Sequence, residues 1–246
     1  MPMSGRRELG AVRAYAAYLF NAAAKWSVGL AVVVPLSVIP SYLFTYFFSI
    51  SDLLRMLLVF TGMGYYLVSI IAVYSFALDL AQGSSVVFLS QPLTRRGYVL
   101  AWMLASVALP ALAYALSFVI PFLILDATML VSSDPQDFIL LFLEGFTISM
   151  ATFFAALSTK RPALVVALGL FLHILLYFAL ALVFTVAYHW SLADEASLLF
   201  CFLYPFRSKL SIGTHPEVSV YLNALTAAAL VLISLKYAEK MLEVAA

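Results

Sequence analysis

Long apolar segments alternate with short polar ones along the whole chain. Six of the apolar segments are each close to the ~20 residues that a helix needs to cross ~30 Å of hydrocarbon: Trp26–Phe48, Met56–Leu78, Val99–Leu125, Phe138–Leu157, Ala163–Ala187 and Val218–Leu235. An irregular or extended backbone facing lipid would leave its N–H and C=O groups without hydrogen-bond partners. The pattern therefore predicts an all-α integral membrane protein with six transmembrane helices.

An amphipathic segment, residues 6–25, precedes the first span. At about 100° per residue, its apolar positions fall on one side of a helix and its polar positions fall roughly opposite. The apolar positions are Leu9, Val12, Ala16, Leu19 and Ala23, and the polar ones are Arg6, Arg13, Asn21 and Lys25. This pattern predicts an interfacial helix with a basic face on an anionic membrane surface. The alternative is that the segment only begins the first membrane helix.

The outer segment at residues 188–216, before the last span, contains the short apolar run Ala196–Phe206. Its eleven residues rise only about 16 Å as a helix, which is too short to cross a bilayer. Charged residues flank the run on both sides: Asp194, Glu195, Arg207 and Lys209. We expect a short re-entrant segment before the last helix. The alternative is an amphipathic outer loop packed on the bundle.

Composition supports the membrane interpretation and narrows the chemistry. Of the 246 residues, 65% are hydrophobic and 10% are charged, whereas soluble domains have roughly 45–50% apolar and about 25% charged residues. The net charge of +1 does not favour nucleic acid as a partner. The single cysteine, Cys201, excludes an intrachain disulfide and a cysteine-based zinc site. We expect one membrane domain over residues 1–246. No A-x-A-like cleavage site follows the first apolar run, so we expect that run to be a retained helix.

Lysine and arginine are concentrated on one side of the predicted spans. Ten of the thirteen lie on one side and three on the other. The ten are Arg6, Arg7, Arg13, Lys25, Arg95, Arg96, Lys160, Arg161, Lys236 and Lys240, and the three are Arg55, Arg207 and Lys209. By the positive-inside rule the ten-residue side is cytoplasmic. We therefore expect a multi-pass protein of the plasma membrane with both termini in the cytoplasm.

Common catalytic and nucleotide-binding motifs are absent from the sequence. There is no G-x-x-x-x-G-K-[ST] loop for ATP, no H-E-x-x-H, no G-x-S-x-G and no Cys/His pairing at metal-ligand spacing. The sequence thus assigns no catalytic, cofactor-binding or metal-ligating residue, and we do not expect an enzyme.

Three polar residues within the spans are candidates for function, because polar groups are costly inside a membrane. Glu144 lies in the fourth span, His173 near the middle of the fifth and Asn223 in the sixth. Each also has a structural interpretation: Glu144 capped by a hydroxyl such as Thr147, His173 as a neutral imidazole bonded to a carbonyl, and Asn223 as an interhelical hydrogen-bond partner. Glu144 and His173 are nevertheless the basis of an alternative hypothesis, in which the chain is a six-helix intramembrane enzyme or lipid-modifying protein.

The polar stretch Asp79–Trp102, between the second and third spans, has a distinctive residue order. It reads Asp79, Gly83, Ser84, then Val86-Val87-Phe88-Leu89-Ser90-Gln91-Pro92, then Thr94-Arg95-Arg96 and the start of the third helix. A short helix with an apolar face beside arginines can seat in a groove of a cytoplasmic protein, with apolar anchors supplying affinity and charge setting orientation. The alternative is that Arg95 and Arg96 only bind lipid headgroups and fix topology.

This order resembles the first cytoplasmic loop of ABC transporter permeases of the type-2 exporter class. The shared features are the acid, the glycine, the small hydroxyl residue, the apolar run that ends in L-S-x-P, and the hydroxyl–arginine pair. In the outer segment, Tyr204-Pro205-Phe206 also looks like the Pro-Phe pattern of that family.

The resemblance implies a function and a set of partners. The chain would be the permease subunit of an ATP-driven exporter, paired with a second permease copy or a sister permease. Separate cytoplasmic ABC ATPase subunits would carry ATP and magnesium. The resemblance implies that the loop at residues 79–98 contacts the ATPase through Asp79, Gly83, Phe88, Leu89, Pro92, Arg95 and Arg96. A third hypothesis is a non-transporting membrane anchor for a soluble complex.

Overall fold

A computed structural model gives the fold, and it describes residues 5–36, 50–83, 94–118, 120, 135–189, 193–212 and 217–241. All regular elements within these ranges are helical. In chain order they are α1 (Gly5–Leu19), α2 (Lys25–Leu36), α3 (Ile50–Ala81), α4 (Arg95–Met103), α5 (Leu109–Ser117), α6 (Pro135–Thr159), α7 (Pro162–Leu170), α8 (Leu176–His189), α9 (Ala193–Leu203), α10 (Pro205–Ile212) and α11 (Glu217–Met241).

Three π-helical turns join neighbouring helices in the described part of the chain. Phe20–Ala24 joins α1 to α2, Leu104–Ala108 joins α4 to α5, and Phe171–Leu175 joins α7 to α8. Pro110 follows the second turn. Proline has no N–H, so it cannot complete the regular ladder to the turn before it. A π turn accommodates this interruption without ending the helix, so that α4–α5 continues as one long helix. The helix α7–α8 is also continuous through its π turn.

Within the described ranges, five helices are long and apolar enough to cross a membrane, and six if a bent pair counts as one span. The five are the α3 segment Thr61–Ala81, α4–α5, α6, α7–α8 and α11, and the bent pair is α1–α2, with a 61° angle between its halves. The all-α prediction is thus confirmed for the described residues, and the helices are those of a multi-pass membrane protein. The predicted first span, Trp26–Phe48, is described only as far as Leu36; residues 37–49 lie outside the described ranges.

Helix α6 packs against α3, α5, α7, α10 and α11 and so occupies the middle of the bundle. Its buried side chains include Leu141 and Phe153. By contrast, α7–α8 and α11 leave large apolar side chains exposed, among them Leu182, Leu225 and Leu232. In water such a surface would be unfavourable, whereas lipid tails are a suitable solvent for it.

Helix α1 packs along α4 through one of its faces. Val12 and Leu19, on the predicted apolar side, are buried, whereas Arg13 and Lys25 are exposed. Leu9 is also on the predicted apolar side, yet it is 69% exposed. The position of α1 on a membrane surface stays a prediction.

The predicted re-entrant segment forms two short helices, α9 and α10, with a break at Tyr204. Pro205 begins α10, where its missing N–H costs nothing because the first N–H groups of a helix have no intrahelical partner. At eleven and eight residues, neither helix reaches across ~30 Å of hydrocarbon. Phe200, Cys201 and Tyr204 are buried in the bundle. Residues 190–192 and 213–216 lie outside the described ranges, and a re-entrant course through a bilayer stays a prediction.

Candidate functional site

Glu144 in α6 and Arg207 in the first turn of α10 form a buried ion pair. Arg207 Nε lies 2.5 Å from Glu144 Oε1, and the two side chains are 1% and 0% exposed. The other carboxylate oxygen accepts the backbone N–H groups of Phe206 and Arg207, each at 3.0 Å. The first turn of a helix has free N–H groups and a partial positive charge, so it favours a carboxylate at this position. Glu144 therefore holds α10 against the central helix.

Arg207 also contacts the helix formed by α7 and α8. Its Nη1 donates to the backbone carbonyl of His173 at 2.6 Å. His173 lies in the third π turn, where the regular ladder of helical hydrogen bonds is disturbed. The guanidinium carbon lies 4.5 Å from the ring centre of Tyr177 and 4.4 Å from that of Tyr204, which is a favourable distance for a cation beside an aromatic face.

Gly62 lets α3 approach this guanidinium closely. A Cβ at position 62 would lie 2.7 Å from Arg207 Nη1 and 3.0 Å from the His173 carbonyl oxygen. Gly64, two residues further on, allows a similar approach, because a Cβ there would overlap the Tyr114 ring. Arg207 thus lies where α3, α6, α10 and the α7–α8 helix meet. We call Gly62, Glu144, His173 and Arg207 the buried cluster.

The His173 ring is fixed on one side only. Its Nε2 lies 3.0 Å from Ser69 Oγ, and its plane stacks beside Tyr65 with ring centres 6.1 Å apart. Its Nδ1 has no hydrogen-bond partner among the described residues, and the same is true of Arg207 Nη2.

Of the three intramembrane polar residues, Glu144 and His173 have different partners from those that the sequence suggests, whereas Asn223 has the expected role. Glu144 and His173 do not pair; Arg207 lies between the Glu144 carboxylate and the His173 backbone. Thr147, the expected cap of Glu144, instead donates to Asn223 Oδ1 at 2.8 Å. Asn223 Nδ2 donates to the carbonyl of Phe202 at 2.8 Å. Asn223 therefore links α6, α9 and α11, which matches its structural interpretation.

Sequence reasoning missed the role of Arg207. On sequence it is one of the charges that flank the short apolar run, on the outer side. The structure buries it because the carboxylate of Glu144 compensates its charge. A signal was available, since an acid within a span requires a compensating partner, and Arg207 is one of three basic residues on that side.

The predicted coupling loop, residues 79–98, is described only at its two ends. The Tyr98 hydroxyl donates to Asp79 Oδ2, which connects the beginning of the third predicted span to the end of α3. Gly83 follows α3 with φ +72°, a left-handed conformation that glycine adopts without strain. Thr94 caps α4 by accepting the N–H of Gly97 at 3.0 Å. Phe88, Leu89 and Pro92 lie outside the described residues.

The end of this loop at residues 95–98 is connected to α1 and α11. The Tyr15 ring of α1 stacks on Tyr98 with ring centres 5.8 Å apart. Arg96 Nε lies 2.6 Å from Glu239 Oε1, and Arg95 Nη1 donates to the Glu239 carbonyl at 2.9 Å. Cations are favourable near the carbonyl groups that end a helix. We call Tyr15, Asp79, Tyr98, Arg96 and Glu239 the loop clasp.

The described ranges contain no group of three or more His, Cys, Asp or Glu residues placed to hold a metal ion.

Comparison with protein-family models, with curated proteins and with solved structures found no match. The resemblance of Asp79–Trp102 to type-2 ABC permeases therefore stays a prediction from that motif.

Proposed function

We propose that this chain is the membrane-spanning permease subunit of an ATP-driven exporter, and that a separate ATPase drives it through the loop at residues 79–98. The loop clasp is the observation that supports this proposal most directly. A loop that only connected two helices would not need its ends joined to each other and one of them joined to two further helices.

The clasp provides a route for movement. A push on the loop acts on Asp79 and Tyr98, which are hydrogen-bonded to each other. Tyr15 then carries the displacement to α1 through the stacked rings. Arg96 carries it to α11 through Glu239. Helices that are packed and hydrogen-bonded in this way shift as rigid bodies rather than bending separately.

The remaining parts of the transporter would be separate chains. ATP and magnesium would bind to the ATPase, because this sequence has no phosphate-binding loop. A second permease copy, or a sister permease, would complete the path. The exposed apolar faces of α8 and α11 offer surfaces for that partner as well as for lipid. We place the loop and both termini in the cytoplasm, as the distribution of basic residues predicts.

The alternative of an intramembrane enzyme is less well supported by the geometry. Glu144 accepts three hydrogen bonds from α10, and a general base needs a free lone pair within reach of its substrate. The His173 ring contacts Ser69 and Tyr65 rather than this carboxylate. The buried cluster therefore favours a structural role for Glu144.

Co-purification tests the proposal. The full-length chain is co-expressed in turn with each cytoplasmic ABC ATPase encoded in the same genome, and both are purified in mild detergent. We expect Leu89→Asp to lower the recovered ATPase about tenfold, because a charge replaces an apolar anchor of the contact. The matched control, Arg161→Asp, introduces the same acid into the exposed connection between α6 and α7 and should leave recovery unchanged.

The same experiment separates the hypotheses. Equal recovery with Leu89→Asp and with wild type would contradict the coupling assignment. A different result would favour the membrane-anchor hypothesis: the ATPase binds, but its rate of ATP hydrolysis is the same with wild type and with Tyr98→Phe. The loop clasp would then carry no movement.

A further inference from the structure

A small cavity borders the buried cluster where α3 meets the α7–α8 helix. It has a volume of about 10 Å³ and is lined by Gly62, Met63, His173, Ile174, Tyr177, Phe178 and Arg207. This volume fits one oxygen-sized group. Met63 and Phe178 are 47% and 51% exposed, so the cavity reaches the apolar outer surface of the bundle.

Two buried nitrogen atoms of the lining residues have no hydrogen-bond partner among the described residues: Arg207 Nη2 and His173 Nδ1. Arg207 can only donate. The role of His173 follows from Ser69, whose hydroxyl donates to the carbonyl of Tyr66 at 3.3 Å. Because the Ser69 hydroxyl proton is used in that bond, Ser69 Oγ accepts a hydrogen bond from His173 Nε2–H. In this neutral tautomer His173 Nδ1 carries no proton, so it is an acceptor. A hydroxyl group has both the acceptor that Arg207 Nη2 lacks and the donor that His173 Nδ1 lacks.

We propose that this cavity binds the hydroxyl group of a membrane amphiphile, such as a long-chain alcohol. The apolar chain of the ligand lies on the outer surface, where Leu67 and Leu175 are exposed one turn from Met63 and Phe178. A neutral group is required because Glu144 already compensates Arg207, and a second buried anion would have no partner. The proposal does not depend on an ATPase.

Two glycines offer a matched pair of variants. Gly62→Ala places a methyl group 2.7 Å from Arg207 Nη1 and 3.0 Å from the His173 carbonyl oxygen, so it both displaces the guanidinium group and occupies space at the cavity. Gly169→Ala lies in the contact between α7 and the same helix α3, but its Cβ would be 3.5 Å from Ile70, an ordinary contact distance. The second variant therefore controls for an added methyl group between the same two helices.

Photolabelling of the purified full-length chain in lipid nanodiscs tests the site. The probe is a 16-carbon alcohol with a diazirine next to the hydroxyl end, and labelled peptides are mapped by mass spectrometry. We expect the label to be concentrated on the peptides that contain Met63 and Phe178. Unlabelled 1-hexadecanol should compete about tenfold better than its methyl ether, which lacks the donor to His173.

The variants then test the assignment of the cavity. We expect about tenfold less label with Gly62→Ala, which removes a hydrogen bond to a charged donor, and wild-type labelling with Gly169→Ala. A second pair of variants leaves Gly62 and Arg207 unchanged. Phe178→Trp enlarges a ring that lines the cavity, whereas Phe171→Trp enlarges an exposed ring of the same helix that does not line it. Only Phe178→Trp should lower labelling.

Three results would overturn the proposal: label spread evenly over the lipid-facing helices, equal labelling of Phe178→Trp and Phe171→Trp, or equal competition by the alcohol and its ether. Because no ATPase is present, failure of this experiment and failure of the ATPase co-purification are separate outcomes.

Discussion

Arg207 shows how an almost completely buried charge is stabilised in this protein. The guanidinium pairs with Glu144, donates to the His173 carbonyl and lies beside two tyrosine rings. The sequence could predict the importance of Glu144 and His173, because ionisable residues within an apolar span are conspicuous. It could not predict the burial of Arg207 as directly, because a residue next to a polar segment is equally compatible with solvent.

Replacement of Glu144 by glutamine tests the buried ion pair. The variant leaves the charge of Arg207 buried without a counterion, which we expect to lower the free energy of unfolding by about 3–5 kcal/mol. Thermal unfolding in detergent measures the change. The control is Asp137→Asn, which removes the partly exposed pair with Lys209 and should cost less than about 1 kcal/mol.

A double variant separates charge from packing. Glu144→Leu with Arg207→Met removes both charges, so it should be more stable than Glu144→Gln alone. Recovery should be partial, because the N–H groups of Phe206 and Arg207 lose their acceptor. Wild-type stability of Glu144→Gln would show that the pair is not buried as described.

Gly145 provides a second test at the level of single residues. A Cβ at this position of α6 would overlap the Tyr65 ring, so we expect Gly145→Ala to destabilise the protein by about 1–3 kcal/mol. Gly29→Ala meets no atom within 4 Å, and should stabilise α2 by about 0.5–1 kcal/mol because alanine favours a helix. Equal melting temperatures of the two variants would contradict the close contact between α3 and α6.

The helices themselves were largely predictable, whereas their interruptions were not. Span length and apolar content follow from the thickness of hydrocarbon, so the second to sixth predicted spans each correspond to a long helix. The π turn at Leu104–Ala108 precedes a proline that the sequence shows plainly. No proline marks the turn at Phe171–Leu175 in the sequence. This turn accompanies a contact between the His173 carbonyl and Arg207, which is distant in the sequence.

The loop clasp can be tested as a contact between helices. Tyr98→Phe removes the hydroxyl that binds Asp79 and should cost about 1 kcal/mol. Hydrogen–deuterium exchange should therefore become about fivefold faster at the end of α3 and in α1. Tyr221→Phe, on an exposed tyrosine of α11, is the control. Unchanged exchange in both variants would mean that the clasp does not hold these helices together.

At the scale of the whole molecule, α3 connects the buried cluster with the loop clasp. Gly62 and Asp79 belong to the same helix and are about 26 Å apart along its axis at 1.5 Å per residue. The middle of α3 contacts Arg207 at Gly62, and its C-terminal end is held by Tyr98. A displacement of the loop therefore acts on a helix that is packed in the bundle at its middle.

Cysteine labelling tests how the chain is oriented in the membrane. Lys160→Cys and His189→Cys lie at opposite ends of the α7–α8 helix, about 40 Å apart. A membrane-impermeant maleimide should reach position 160, and Ser90→Cys, from the cytoplasm, and position 189 from outside. The native Cys201 is buried, and burial raises the pKa of its thiol, so it should stay unlabelled. Outside labelling at position 90 would reverse the predicted topology.

Site-specific photo-crosslinking at Phe88 tests the proposed coupling most directly. A photoreactive phenylalanine analogue is placed at position 88 of the full-length chain, and cells that also express a candidate ABC ATPase are irradiated. The same analogue at Arg161, in the connection between α6 and α7, is the control. We expect a covalent adduct with the ATPase from position 88 and none from position 161. Absence of an adduct from position 88, or equal adducts from both positions, would contradict the proposal that the 79–98 loop receives the force of ATP hydrolysis.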